Sequence, residues 1–182
     1  MARLPYVDKE NAPQGVREVL ERLPAELNIF RMLANGENLF RPFLGLGTAI
    51  LSNAGFDPKL RELVILHVGR ISRGEYEWVQ HLPIGKAFGV SDEQIAALER
   101  GDADAACFDA REKAVLSFTR EVVEEVKASD AVFAETAKHL DAREIVELLV
   151  TIGYYMTIAR LTETTGIEID GPVGTKVVDA IR

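Results

Sequence analysis

The residues best suited to chemistry lie in one short stretch of the chain. Glu77 and His81 are four residues apart, so on a helix they share one face about one turn apart. A carboxylate beside an imidazole fixes its tautomer, and the pair can exchange a proton near neutral pH. Glu62 lies on the preceding predicted helix. If Arg73 and Gly74 form the turn between two packed helices, Glu62 faces back toward Glu77 and His81 in a partly dry pocket.

Less specific explanations fit the same three residues. A Glu–His pair at this spacing is common on exposed helices, where it contributes roughly 0.2–0.5 kcal/mol. A buried structural network would use the same side chains. Two carboxylates and a histidine could also bind a metal, but their spacing matches no dedicated metal motif. Of these alternatives, we expect a catalytic role for Glu62, Glu77 and His81, with no metal and no other cofactor.

The local charge around these residues favours a small anionic substrate. Between Asp57 and Arg73 there are four basic and two acidic residues. Arginine binds carboxylates in a bidentate manner, although a solvated helix face explains any single arginine equally well. Aromatic residues nearby could line the pocket, with core packing as the alternative. The candidate substrate-binding residues are Arg61, Arg70, Arg73, Tyr76, Trp78 and Tyr155.

Helical periodicity runs along the whole chain and predicts an all-α fold. An N-terminal amphipathic helix ends near Pro24, and residues 29–52 predict a short helix, a break and a second helix whose glycines allow close packing. Asp57 before Pro58 marks a helix start. Capping boxes begin at Ser72, Ser91, Asp109 and Asp141. The predicted later helices span 58–71, 74–88, 92–100, 110–127, 131–139 and 142–163.

Composition disfavours several classes of partner. The chain has 182 residues and a net charge of −8, which disfavours nucleic acid and a polybasic membrane anchor. Cys107 is the single cysteine, which excludes an intrachain disulfide, a CxxC redox pair and a cysteine-based zinc site. The longest apolar run, residues 148–159, is shorter than the roughly 20 residues that span a bilayer. With no secretory signal in the first ten residues, we expect a cytoplasmic protein with no membrane partner.

Three segments together resemble the carboxymuconolactone decarboxylase family of the alkylhydroperoxidase D-like (AhpD-like) superfamily: residues 61–66, 75–81 and 89–95. The resemblance implies an AhpD-like helical bundle of about seven to nine helices, built around a helix-turn-helix hairpin. It implies a single domain over residues 1–182, with extensions 1–56 and 166–182 packing on the body or on a neighbouring subunit. It also implies a homo-oligomer (dimer, trimer or hexamer), for which Phe30, Phe40 and Phe43 offer contact surface.

The peroxidase branch of the superfamily carries a CxxCxxxH motif with an upstream glutamate. On this chain those positions are Gly74, Glu77 and His81, with Glu62 upstream. Both thiols of the motif are absent, and peroxide reduction by a dithiol needs an attacking and a resolving thiol. The resemblance therefore favours the decarboxylase branch over peroxide chemistry.

The decarboxylase branch acts on a small lactone carboxylic acid. Loss of CO2 sends electrons through a double bond into the lactone carbonyl, and a proton is then delivered to carbon. In this hypothesis His81 donates the proton or binds the oxyanion, Glu77 orients His81, and Glu62 completes the relay. Two alternatives remain open: a peroxide-detoxifying protein that uses Cys107, and a non-catalytic helical oligomer that binds a ligand.

Overall fold

A computed structural model describes residues 1–53 and 55–172, together with residues 176 and 179. Among these residues there are nine α-helices and no strand, so the predicted all-α fold class is confirmed. A π-helical turn, Ala49–Asn53, follows the third helix. The helices are α1 (Gln14–Leu20), α2 (Asn28–Leu33), α3 (Glu37–Thr48), α4 (Pro58–Ile71), α5 (Glu75–Ala87), α6 (Asp92–Glu99), α7 (Ala110–Glu125), α8 (Asp130–Thr136) and α9 (Ala142–Thr165).

Side-chain caps fix most of the helix starts that the sequence predicts. The Asp57 carboxylate accepts a hydrogen bond from the Leu60 amide at 2.8 Å, just before α4. Reciprocal capping boxes begin α6 at Ser91, α7 at Asp109 and α9 at Asp141. The predicted box at Ser72 is wrong. Ser72 ends α4, and α5 begins one residue after Gly74 with no side-chain cap.

Helix α4 is the central element of the bundle. Every residue from Leu60 to Gly69 is buried, and a helix that is enclosed on all sides needs neighbours around its whole circumference. It contacts α5, α7 and α9. The α4–α5 hairpin is therefore held in the middle of the main hydrophobic core, and the polar residues of α4 are carried inside with it.

The N-terminal helices cover one side of this hairpin. As predicted, a short helix (α2) and a break precede a second helix, and Pro42 lies within α3 without ending it. Gly47 allows the predicted close approach, because a Cβ there would lie 2.3 Å from the Tyr154 hydroxyl of α9. Gly45 has open space around it and plays no such role.

The C-terminal segment after α9 folds back on the body. The Glu168 carboxylate accepts hydrogen bonds from the Ala2 amide and the Tyr6 hydroxyl. The Asp170 carboxylate accepts from the Asn28 amide at 2.8 Å and from the Tyr76 hydroxyl at 2.6 Å. Most of the predicted extension beyond residue 172 lies outside the described residues, and the single-domain organisation stays a prediction.

The exposed apolar side chains differ from those the sequence suggested. Phe40 is 1% exposed, so it packs within its own chain and offers no contact surface. Large apolar residues are exposed on α3 and α9 instead: Leu39, Leu46, Val146, Leu149 and Val150. The homo-oligomer stays a prediction.

Helix α9 is long and apolar enough to cross a membrane by length and composition, with a mean hydropathy of 1.3 over an 18-residue window. Of that window, 44% is buried inside the protein. The core helix of a folded domain meets the same criterion, and Leu148 and Ile152 of α9 belong to the main core. This single weakly apolar helix is compatible with a soluble protein.

Candidate functional site

A cavity of about 320 Å³ lies between the N-terminal helices and the helices α5 and α9. We call it the apolar cavity, because aliphatic and aromatic side chains form most of its wall. Glu77 and His81 reach it from α5, and Tyr154 and Tyr155 reach it from α9. The site therefore combines ionisable groups with a largely dry surrounding, a setting in which proton affinities shift strongly.

His81 is fixed in place by Glu62. Its Nδ1 atom lies 2.8 Å from Oε2 of Glu62, which is fully buried on α4. The other carboxylate oxygen of Glu62 accepts a hydrogen bond from Nε of Arg61 at 3.0 Å. Arg61 in turn donates from Nη1 to the Leu51 carbonyl at 2.8 Å. Because Nδ1 is occupied, Nε2 is the ring nitrogen of His81 that is left for a molecule in the cavity.

The His81 ring packs against a tyrosine ring in a T-shaped arrangement. The rings of His81 and Tyr155 are perpendicular, with centroids 5.0 Å apart. Burial raises the pKa of the Tyr155 hydroxyl well above its usual value, and the negative charge of Glu62 adds to the effect. The phenol therefore stays protonated at neutral pH. The His81 imidazole is therefore held by two neighbours, the Glu62 carboxylate and the Tyr155 ring.

Glu77 has a very different environment. One of its oxygens accepts a hydrogen bond from the Thr162 hydroxyl at 3.3 Å, and the other, Oε2, is buried with no hydrogen-bond partner among the described residues. Burial raises the pKa of this carboxyl from 4.5 to about 7, and the backbone N–H of Glu77 itself and, after it, the nearby His81 oppose the rise only in part. At neutral pH Glu77 is therefore close to half protonated, which suits a general acid.

The role that the sequence assigned to Glu77 needs one correction. The hydrogen bond to the ring of His81 was expected from Glu77, but it comes from Glu62. The i,i+4 spacing placed Glu77 and His81 on one face correctly. It could not show that the α4–α5 hairpin brings a second carboxylate closer to the imidazole.

The predicted substrate-binding residues divide into two groups. Tyr76 and Tyr155 line the apolar cavity, although the Tyr76 hydroxyl is already bonded to Asp170. Arg61 lies behind His81, where its guanidinium pairs with Glu62 and stacks on the Phe88 ring, 5.0 Å from the centroid. Arg70, Arg73 and Trp78 line a second, more polar cavity. Because His81 lines the apolar cavity, the position of these three residues does not support their predicted contact with a substrate bound at His81.

Sequence reasoning missed several residues of the site. Thr162, the partner of Glu77, is 85 positions away along the chain. Gln80 lines the apolar cavity and donates from its amide to the carbonyls of Asp170 and Gly171, each at 3.1 Å. Much of the remaining cavity wall comes from residues 22–33, including Arg22 and Phe30. No local pattern indicated these residues, because their role arises only from packing between distant segments.

Cys107 is half-buried in the loop before α7, packs against the main core and does not line the cavity. Within the described part of the chain, no group of three or more His, Cys, Asp or Glu side chains could hold a metal ion.

Comparison with known proteins finds a family model that covers this site. Residues 37–121 match the model of the "Carboxymuconolactone decarboxylase family", a range that contains Glu62, Glu77 and His81. This match confirms the resemblance seen in the sequence. A search of curated proteins finds no match.

Solved structures with this fold include proteins of different description. An uncharacterized peroxidase-related protein from Ralstonia eutropha JMP134 aligns with a TM-score of 0.79 and 19% identity, over 100% of this chain and 97% of its own. The debrominase Bmp8 bound to 2,3,4-tribromopyrrole aligns at 0.76 and 16% identity, over 100% of both chains. A putative antioxidant defence protein from Agrobacterium tumefaciens aligns at 0.67 and 20% identity, over 72% of this chain and 90% of its own. At these identities the likeness shows the fold alone.

Proposed function

We propose that this protein is a carboxy-lyase that decarboxylates a small, mostly apolar lactone-type acid by proton transfer from Glu77, while His81 stabilises the developing negative charge. The observation that carries the proposal is the Glu77 carboxyl, which lines an apolar cavity beside His81, has its pKa raised to about 7 and leaves Oε2 without a partner among the described residues. A carboxyl with this pKa can exchange a proton near neutral pH.

The reaction balances with one proton. The bond between the substrate carbon and its carboxylate breaks, CO2 leaves, and the electron pair moves through the conjugated double bond into the lactone carbonyl. A proton from Glu77 then bonds to carbon and the carbonyl re-forms, and water restores the proton on Glu77. The apolar wall favours the first step, because the compact carboxylate charge becomes spread over the dienolate in a dry surrounding.

The remaining residues have supporting roles in this proposal. In this proposal His81 carries a proton on both ring nitrogens: Nδ1 donates to Glu62, which holds the ring, and Nε2 donates to the oxygen on which negative charge develops. Arg22 lies in the cavity wall and supplies a positive charge that attracts an anionic substrate. The apolar wall restricts the rest of the substrate to a hydrocarbon or unsubstituted ring.

The experiment is release of CO2 from a panel of lactone acids by the purified protein, with and without His81→Asn. We expect the variant to lose about 10²- to 10⁴-fold in kcat while its circular dichroism is unchanged. His139→Asn is the matched control, since His139 lies in the turn after α8 and pairs with Glu135 at 3.7 Å, away from the cavity. Equal turnover by His81→Asn and His139→Asn would remove His81 from the mechanism.

A second candidate function is non-catalytic binding of an apolar ligand. The observation that favours it is the same largely apolar wall, formed by side chains such as Leu27, Phe30 and Leu44. The panel distinguishes the two functions: a binding protein is stabilised against heat by acids that it does not decarboxylate. A peroxidase function has weaker support, because Cys107 lies away from the cavity.

A further inference from the structure

The second cavity of the protein has a different character from the first. It has a volume of about 450 Å³ and lies where the end of α4, the start of α5, the end of α6 and α7 meet. We call it the arginine cavity. Its ionisable lining residues are Arg70, Arg73, Arg100, Arg120, His67, Glu75, Glu99 and Glu124. In a chain with a net charge of −8, four arginines around one hollow are unexpected.

The arginines of this cavity lack the carboxylate partners that are close at hand. Three glutamates line the same hollow, yet none of the four guanidinium groups forms an ion pair within the described part of the chain. Arg70 donates from Nε to the backbone carbonyl of Glu99 at 2.9 Å and lies over the Trp78 ring, 6.0 Å from its centroid. Arg73, Arg100 and Arg120 have no side-chain hydrogen bond to any described residue.

A buried histidine that lines the cavity is also without a partner. His67 is 3% exposed, and neither of its ring nitrogens has a hydrogen-bond partner in the described residues. Its pKa is lowered to about 4, first by burial and then by the positive charge of Arg120, while the backbone carbonyl of Leu116 acts in the opposite direction as a hydrogen-bond acceptor. The ring is therefore neutral at pH 7, and its N–H has no acceptor with good hydrogen-bond geometry among the described residues. A buried polar group left in this state is costly unless something else occupies the site.

We infer that the arginine cavity binds a small oxyanion, a phosphate or carboxylate group, held by Arg73, Arg100 and Arg120 with His67 donating from the buried side. Guanidinium groups bind oxyanions through paired N–H donors, and the bonds are strengthened by charge. The anion would supply the charge that the arginines lack and the acceptor that His67 lacks. This site is separate from the apolar cavity and does not depend on the proposed decarboxylation.

The chain contains its own reporter for this site. Trp78 is the single tryptophan and lines the arginine cavity, but not the apolar cavity. Intrinsic fluorescence of the full chain can therefore be followed while inorganic phosphate, or acetate in a second arm, is added at constant ionic strength. Sodium chloride serves as the control for general salt effects.

We expect the Trp78 signal to change saturably with phosphate or with acetate, and the anion that saturates at the lower concentration identifies the preferred group. Arg120→Gln and Arg73→Gln should each raise the half-saturating concentration about tenfold or more, which corresponds to about 1.4 kcal/mol. Arg41→Gln, on the exposed side of α3, removes the same charge away from the cavity and should leave the titration unchanged.

Two results would overturn the inference. One is a response to both anions that equals the response to chloride and does not saturate. The other is saturation that Arg120→Gln and Arg73→Gln leave unchanged while their melting curves show them folded. If Arg120→Gln fails to fold, Arg73→Gln decides the question, because Arg73 is exposed and its side chain has no structural partner among the described residues.

Discussion

The two sides of the candidate site handle a buried glutamate in opposite ways. On the α4 side, both oxygens of Glu62 are engaged, one by Arg61 and one by His81. On the α5 side, Glu77 has a single neutral partner, Thr162, and one oxygen with none. Both carboxyl groups are shielded from water, with Glu62 0% and Glu77 2% exposed. Burial alone therefore does not determine what a carboxyl group does here.

The two glutamates are therefore suited to different roles: Glu62 positions His81, and Glu77 exchanges a proton. A carboxylate bound at both oxygens fixes the ring beside it, and turning it away would require breaking two contacts. A carboxyl with a free oxygen and a pKa near 7 can gain or lose a proton at little cost. The same substitution, glutamate to glutamine, should therefore have opposite effects on the two sides.

The largest expected effect is a loss of stability on the α4 side. Glu62→Gln leaves the buried guanidinium of Arg61 without its counter-charge, and breaking a buried ion pair costs about 3–5 kcal/mol. Urea unfolding at pH 8 measures the free energy of unfolding. A Glu62→Gln protein as stable as wild type would show that the Leu51 carbonyl and the Phe88 ring are enough to hold Arg61, and the contrast between the two sides would fail.

A smaller effect of the opposite sign is expected on the α5 side. The pKa of Glu77 is higher in the folded protein, about 7, than the ordinary 4.5, so the folded state binds the proton more tightly. Stability is therefore lost as pH rises from about 4.5 to 7, and the ionised group costs up to about 3 kcal/mol above that range. Glu77→Gln carries no charge at any pH and avoids this cost.

The measurement is the difference in unfolding free energy between Glu77→Gln and wild type at several pH values. We expect little difference near pH 4 and a growing advantage for the variant up to pH 8. Subtracting wild type removes the titration of the other groups common to both chains. In the proposed function the same variant loses turnover, so stability and activity change in opposite directions. A pH-independent difference would contradict the shifted pKa of Glu77.

Local sequence patterns predicted the framework of this site well. Asp57, Ser91, Asp109 and Asp141 mark helix starts because a cap involves only residues three positions apart. The turn between α4 and α5 was also predicted, and with it the approach of Glu62 to His81.

What the sequence did not predict depends on contacts between distant segments. The pairing of His81 with Glu62, rather than Glu77, depends on the rotation of α4 against α5, which no spacing within one helix determines. The apolar wall from residues 22–33 and the partner Thr162 come from opposite ends of the chain. Arg70 and Arg73 were placed with His81 by their position in the sequence, whereas the turn directs them to the other cavity.

The smallest expected effect concerns the turn between α4 and α5, which lies beside Glu77. In this turn Arg73 has the left-handed backbone conformation, with φ of 58°, whereas Gly74 has an ordinary φ of −81°. Gly74 is therefore required for space: a Cβ there would lie 2.2 Å from Oε2 of Glu77 and 3.0 Å from Cβ of Ala159. Gly74→Ala should displace the Glu77 carboxyl at a cost in stability of about 1 kcal/mol.

Gly153→Ala is the control, since a Cβ at this exposed position of α9 meets nothing within 4 Å. That variant should be more stable by about 0.5–1 kcal/mol, because alanine is the better helix former. The decisive measurement for Gly74→Ala is the pH profile of kcat/KM on whichever lactone acid is turned over. Displacing the free oxygen of Glu77 should move the titration near pH 7, whereas a purely structural role for this carboxyl would lower the rate equally at every pH.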